Sequence, residues 1–447
     1  MKFPKDFIWG SATSSYQIEG AAYHDAGGES VWDMMGRQPG KIHQGDTGDL
    51  ACDHYHRYKQ DIALMAGIGL KAYRFSVSWP RVLPSGEGTI NPKGLDFYHR
   101  LVDELLEKNI TPWVSLFHWD FPYELYCRGG WLNRESADWF SDYTSIVVDK
   151  LSDRVQYWIT LNEPQCYIEL GHASGIHAPG LQLARREVLL AAHHTLLAHG
   201  KAVQVIRAQS KTNPMISASQ AGTVSIPLSD SEENMSAARQ HMFAVRDKGV
   251  FNNSWFSDPM ILGHYPEDGV ELYQNDMPKI LSGDMDTINQ RLDYYGANIY
   301  SGHYIQSAAG GIAEEVVKDN IQYTEMSWPI TPEALYWGPK FIYDRYKLPI
   351  VITENGMAND DVLNNGIIND SKRIDFLKQY LNEYGRAIQD GVPALGYFLW
   401  SIMDNFEWAE GYSKRFGIIY VDYENQRRTL KDSAVWYRNL IDTSQLS

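Results

Sequence analysis

Cysteine is scarce in this 447-residue chain. Its three cysteines, Cys52, Cys127 and Cys166, lie far apart and form no Cys-x-x-Cys pair. That argues against a disulfide framework or a zinc site and fits a reducing, cytoplasmic compartment. Basic residues are outnumbered, 40 against 56 acidic ones, and the net charge is −16 with no basic block. Nucleic acid and anionic membrane surfaces are therefore excluded as expected partners. Nothing approaches the roughly 18 uninterrupted apolar residues of a membrane span. The opening "MKFPKDFIWG" carries no apolar stretch of signal-peptide length.

Linkers are missing as well. No low-complexity segment, charge run or composition break divides the chain, so one domain over residues 1–447 is expected. "AAGGIA" (308–313) contains glycine but no phosphate-loop pattern. Two histidine groups, His54 with His56 and His193 and His194 with His199, lack the spacing and carboxylate of a helical zinc site. They read as packing and hydrogen bonding, and no metal or cofactor is expected.

What the chain does contain is apolar and aromatic material, 44% and 13% of its residues. It recurs as short segments ending in polar residues: 7–13, 71–79, 111–119, 155–163, 215–221, 294–301, 349–356 and 394–402. Most are continuously apolar, as parallel strands buried on both faces should be. Helix-like stretches separate them. "NPKGLDFYHRLVDELLEKN" places Asn91 as N-cap and Pro92 at the first helical position, and "TPEALYWGPKFIYDRY" repeats this with Thr331 and Pro332. The fold class expected is α/β, a single (β/α)8 TIM barrel whose long strand-to-helix loops form the active-site mouth.

In such a barrel the strand ends carry the chemistry, and "WITLNEP" (158–164) shows how. Strand-forming residues deliver Asn162 and Glu163 and stop at Pro164. The other strand ends supply Gln17, Arg74, His118, Asn298 with Tyr300, Glu354, and Trp400 followed by Glu407 and Trp408. Two of these are carboxylates on the fourth and seventh strands, 191 positions apart. Paired carboxylates across a pocket are what glycoside hydrolysis needs, one protonated and one ionised. Arg74 and Tyr300 are candidates to hold Glu354 ionised. Taken singly, each residue has a plainer reading as a salt bridge, a hydrogen-bonded histidine or core. Their joint occurrence at successive strand ends carries the argument.

The motifs resemble glycoside hydrolase family 1 along nearly the whole chain. They are "FIWGSATSSYQIEGA" (7–21), "HWD" (118–120), "TLNEP" (160–164), "HAPG" (177–180), "ITENG" (352–356) and "DNFEWAEGYSKRFGIIYVDY" (404–423). The resemblance implies a retaining bacterial β-glucosidase with Glu163 as acid/base and Glu354 as nucleophile. It places Arg74, Asn298 and Tyr300 beside the nucleophile and Asn162 at the sugar 2-hydroxyl. Gln17, His118, Glu407 and Trp408 would bind the glycone over Trp400, and Trp328 would flank the aglycone. Small β-glucosides and cello-oligosaccharides are the partners implied, with no cofactor; a homo-oligomer is left open.

A branch of the family takes 6-phosphorylated sugars, with Ser in place of Glu407 and Tyr in place of Phe416. Glu407 would repel a phosphate dianion, although Lys414 and Arg415 stand nearby in sequence. Phe416 is accordingly grouped with the residues that bind the neutral sugar. Two departures stand out. Gln165 follows "NEP" where relatives often carry Trp, so a more polar or open aglycone side is expected. Ile176 precedes "HAPG" where an aromatic is common. A catalytically dead sugar-binding homologue is the reading from another class, and such proteins usually lose one carboxylate.

Overall fold

A computed structural model describes residues 1–21 and 23–446. Eight parallel strands close into a barrel: Ile8–Ala12, Ala72–Ser76, Thr111–Ser115, Tyr157–Asn162, Met215–Ala221, Tyr295–Asn298, Ile350–Asn355 and Ala394–Trp400. Each pairs with its sequence neighbours, and the first closes the ring on the eighth, Ile8 opposite Gly396. Long helices cover the outside, among them Pro92–Glu107, Ser136–Leu151, Arg185–Gln209 and Ser371–Gln389. The expected (β/α)8 barrel is the fold. Among the described residues no helix is long and apolar enough to cross a membrane.

Side-chain alternation splits the core in two. Tyr73, Phe75, Trp158 and Leu399 face the helices and join the large outer core. Ala12, Ala72, Trp113, Ile159, Val351 and Phe398 fill the barrel interior. Trp113 stacks on Tyr157 with centroids 4.1 Å apart, and Phe398 lies 4.8 Å from Trp113. Gly10 exists for that filling, since a Cβ there would sit 2.5 Å from the Phe398 ring. The apolar plug ends below Arg74, whose strand neighbours in register are Ala12 and Trp113. Above it the interior turns polar.

The loops add structure of their own. Val224–Pro227, Gly302–Ser307 and Ala313–Val316 form a three-stranded sheet beyond the fifth and sixth barrel strands, and Ile419–Asp422 pairs with Arg427–Leu430 beyond the eighth. Segment 294–301 therefore divides, its barrel part ending at Asn298. Both anticipated N-caps act differently. Asn91 holds the cap position, but its amide donates to the Asp25 and Arg81 carbonyls instead of accepting from the helix. The other helix begins at Ala334, after a turn, and the Thr331 hydroxyl accepts from Gly302 N–H. In both places a tertiary partner replaces the local cap.

The histidine groups serve packing. His54 pairs with Asp61, His193 bridges Tyr265 and Asp284, and His199 bonds Thr160. Cys52, Cys127 and Cys166 are all unpaired.

Candidate active site

The end of the fourth strand is pinned on both sides. Asn162 N–H donates to Phe117 O on the third-strand side, and Glu163 N–H donates to Ser219 O on the fifth strand. Glu163 then takes φ +49°, a left-handed conformation that costs roughly 1–2 kcal/mol for a residue with a Cβ. The strain turns the chain out of the sheet and leaves the side chain in the mouth, 7% exposed. Glu354 arrives from the seventh strand, where Ile299 N–H donates to its carbonyl. It is 3% exposed.

One fully buried guanidinium ties the two strands together. Arg74 donates through Nη1 to Glu354 Oε1, through Nη2 to Asn162 Oδ1, and through Nε to Ser115 Oγ. Tyr300 Oη donates to the second Glu354 oxygen at 2.7 Å. Asn298, placed beside Glu354 by the resemblance, reaches the other carboxylate: its Nδ2 donates to Glu163 Oε1 at 2.7 Å and to Asn162 Oδ1 at 3.1 Å. Its own oxygen accepts from Thr353 Oγ1 on the adjacent seventh strand, which leaves the amide nitrogen free to reach Glu163.

These surroundings set the proton affinity of Glu163. Burial first, and the Glu354 charge second, push the Glu163 pKa up to about 7, against the pull of Asn298, Cys166 and Arg74. Burial and the nearby Arg74 hold His118 well below its usual value, so it is neutral. Its Nε2 accepts from Asn162 Nδ2 at 3.0 Å. The arrangement offers a proton donor at neutral pH and, opposite it, a carboxylate whose oxygens are held by a cation and a phenol.

A family model for "Glycosyl hydrolase family 1" matches residues 1–446. The chain belongs to that family. It is 46% identical over 453 residues to a 1,4-beta-D-glucan glucohydrolase of Thermotoga neapolitana, covering 100% of this chain and 99% of the relative. It is 41% identical to a bifunctional beta-D-glucosidase/beta-D-fucosidase of Bifidobacterium breve, covering 99% and 98%. Its fold matches a beta-glucosidase from Thermotoga maritima in complex with glucoimidazole, with TM-score 0.91, 45% identity and full coverage of both chains.

Beside the carboxyl pair of this family 1 chain lies an aromatic and amide wall. Gln17 Nε2 donates to Phe406 O at 2.8 Å and, more distantly, to Glu407 Oε2 at 3.4 Å. Burial and the charges of Glu354 and Glu163 push the Glu407 pKa up to about 8. The His118 ring lies 5.8 Å from Trp400 and 6.0 Å from Trp408. On the opposite flank Tyr300 meets Trp328 at 5.1 Å and Phe416 at 6.4 Å. All thirteen residues singled out from the sequence thus fall in one region at the strand ends. A separate cleft of about 670 Å³, between Arg239, His264 and Arg345, includes none of these thirteen residues.

Gln165 does not open the aglycone side. Its side chain is wholly buried, donates to Gln220 Oε1 at 2.8 Å and accepts from Ala221 N–H. It links the turn after Glu163 to the end of the fifth strand, so polarity is spent inside the protein. Ile176 is 55% exposed. Sequence reading missed two contacts of the site, Cys166 on Glu163 and Thr353 on Asn298. Both have a local signal: Cys166 follows Glu163 by one helical turn, and Thr353 adjoins Glu354.

Proposed function

We propose that this family 1 chain is a retaining β-glucosidase, acting as a single catalytic domain without metal or cofactor. Glu354 attacks the anomeric carbon while Glu163 donates its proton to the glycosidic oxygen, forming a covalent glycosyl-enzyme. Ionised Glu163 then draws a proton from water, which releases the sugar with its β configuration kept; about 5–5.5 Å between the carboxyls is the geometry this requires. Arg74 and Tyr300 orient the nucleophile and stabilise its anion, and Asn298 orients the acid/base. Asn162, Gln17, His118, Glu407 and Trp408 bind the glycone over Trp400, with Trp328 and Phe416 flanking the entrance.

The observation that carries this reading is the buried chain Glu354–Arg74–Asn162–Asn298–Glu163, which joins the two carboxyls through donor-fixed contacts. Relatives named for glucan, glucoside and fucoside hydrolysis support β-glucosyl and β-fucosyl substrates. The 6-phosphate reading loses its cations: Lys414 Nζ is committed to Glu325 O, and Arg415 to Asp404. The unpaired cysteines support a cytoplasmic location.

Initial rates on p-nitrophenyl β-D-glucoside and its 6-phosphate, for wild type and Glu354→Ala, test the assignment. Turnover of the neutral glucoside alone, lost in the variant and giving β-glucose first by NMR, is expected. First-formed α-glucose would refute the retaining mechanism, and binding without turnover would favour a sugar-binding homologue.

A further inference from the structure

Cys166 stands three residues beyond Glu163 and opens a π-helical segment, Cys166–Ser174. Its N–H donates to the Glu163 carbonyl at 2.9 Å, which folds the side chain back over the carboxyl. Its Sγ lies 3.1 Å from Glu163 Oε2. The mechanism above gives this thiol no role.

The direction of every bond leading to Glu163 is set from the far end. A guanidinium only donates, so the Asn162 atom facing Arg74 is its carbonyl oxygen. That oxygen also faces Asn298, whose atom there must be the amide nitrogen. The same nitrogen donates to Glu163 Oε1, so Oε1 is committed as an acceptor. A proton placed on Oε1 would weaken that acceptor against a partner that only donates. The acid proton therefore belongs on Oε2, and the protein atom beside Oε2 is sulfur. A thiol suits both charge states, because S–H donates to a carboxylate and sulfur accepts from a carboxylic acid.

We propose that Cys166 is a positioning residue for the acid/base: it keeps the catalytic proton on Glu163 Oε2, donating when the group is ionised and accepting when it is protonated. The inference rests on the reading of Glu163 as acid/base. Cys166 itself stays a thiol, because burial and the Glu163 charge push its pKa well above the usual value. The other ionisable groups around Glu163 are Glu354 and Arg74 from the seventh and second strands, with Tyr300 and Glu407 from the loops after the sixth and eighth.

The test is the pH profile of kcat/KM on p-nitrophenyl β-D-glucoside for wild type, Cys166→Ser and Cys166→Ala, with melting curves to show intact folds. Azide-rescued Glu163→Ala serves as reference, since the alkaline limb owed to Glu163 is absent from it. Serine, a stronger donor to the anion, should move that limb down, and alanine, with no donor, should move it up. Each shift should be about half a pH unit, and the acidic limb should stay in place. Limbs that do not move, or that move the same way in both variants, would overturn the proposal. An alkaline limb that persists in Glu163→Ala would instead overturn the acid/base assignment on which it rests.

Discussion

Glu163→Gln should make this protein more stable as it disables it, and the gain should depend on pH. Burial raises the Glu163 pKa from 4.5 to about 7. A group raised in the folded state costs nothing below its unfolded value, and stability is lost as pH rises through the folded one. At about 1.4 kcal/mol per pH unit, the ionised carboxylate holds on the order of 3 kcal/mol against the folded state above pH 7. Glutamine keeps the contacts: its oxygen accepts from Asn298 and its amide faces the Cys166 sulfur. For 447 residues at about 2 cal/mol/K each, 3 kcal/mol corresponds to a melting shift of about 3 °C. Calorimetry of both proteins should therefore give nearly equal Tm at pH 4.5 and a variant about 3 °C higher at pH 8. The raised Glu407 is present in both and largely cancels in the difference. Cellobiose turnover should fall roughly 10²–10⁴-fold, the usual share of general acid catalysis. A Tm gap that is the same at both pH values, or larger at pH 4.5, would refute the electrostatic reasoning.

Three other substitutions test the surrounding network. Tyr300→Phe removes one hydrogen bond from Glu354 and nothing else, so kcat should fall about 10–100-fold with Tm within a few degrees; an unchanged kcat would remove Tyr300 from the mechanism. Arg74→Lys keeps the charge but cannot span Glu354 and Asn162 together, and kcat/KM should drop at least about 100-fold; near-wild-type rates would show that the fork is dispensable. Gln165→Trp should leave Gln220 Oε1 without its donor and overfill a buried site, lowering stability by about 1–3 kcal/mol in urea denaturation. A variant of wild-type stability with altered glucose inhibition would instead return Gln165 to the aglycone side.

Where sequence and structure part company, the cause is a tertiary partner. Asn91 sits where a cap should sit, yet its amide is taken by two carbonyls outside the helix, Asp25 and Arg81. Gln165 looked like a pocket residue because its neighbours in sequence are; a partner 55 positions away, Gln220, turns it inward. Asn298 is on the strand next to Glu354 but serves Glu163, a choice made by the direction of its side chain.

By itself the sequence determined the barrel, because eight apolar segments buried on both faces and separated by helices leave few other arrangements. It also determined the carboxylate pair, because polar residues at the ends of such strands must share one mouth. Only the tertiary structure decided which donor serves which oxygen. A single guanidinium, in contact with three other strands at once, fixes Asn162, through it Asn298, and through both the oxygen of Glu163 that accepts from Asn298. Hydrogen-bond direction passes between residues that are remote in sequence, and so it is settled by the fold and not by any local motif.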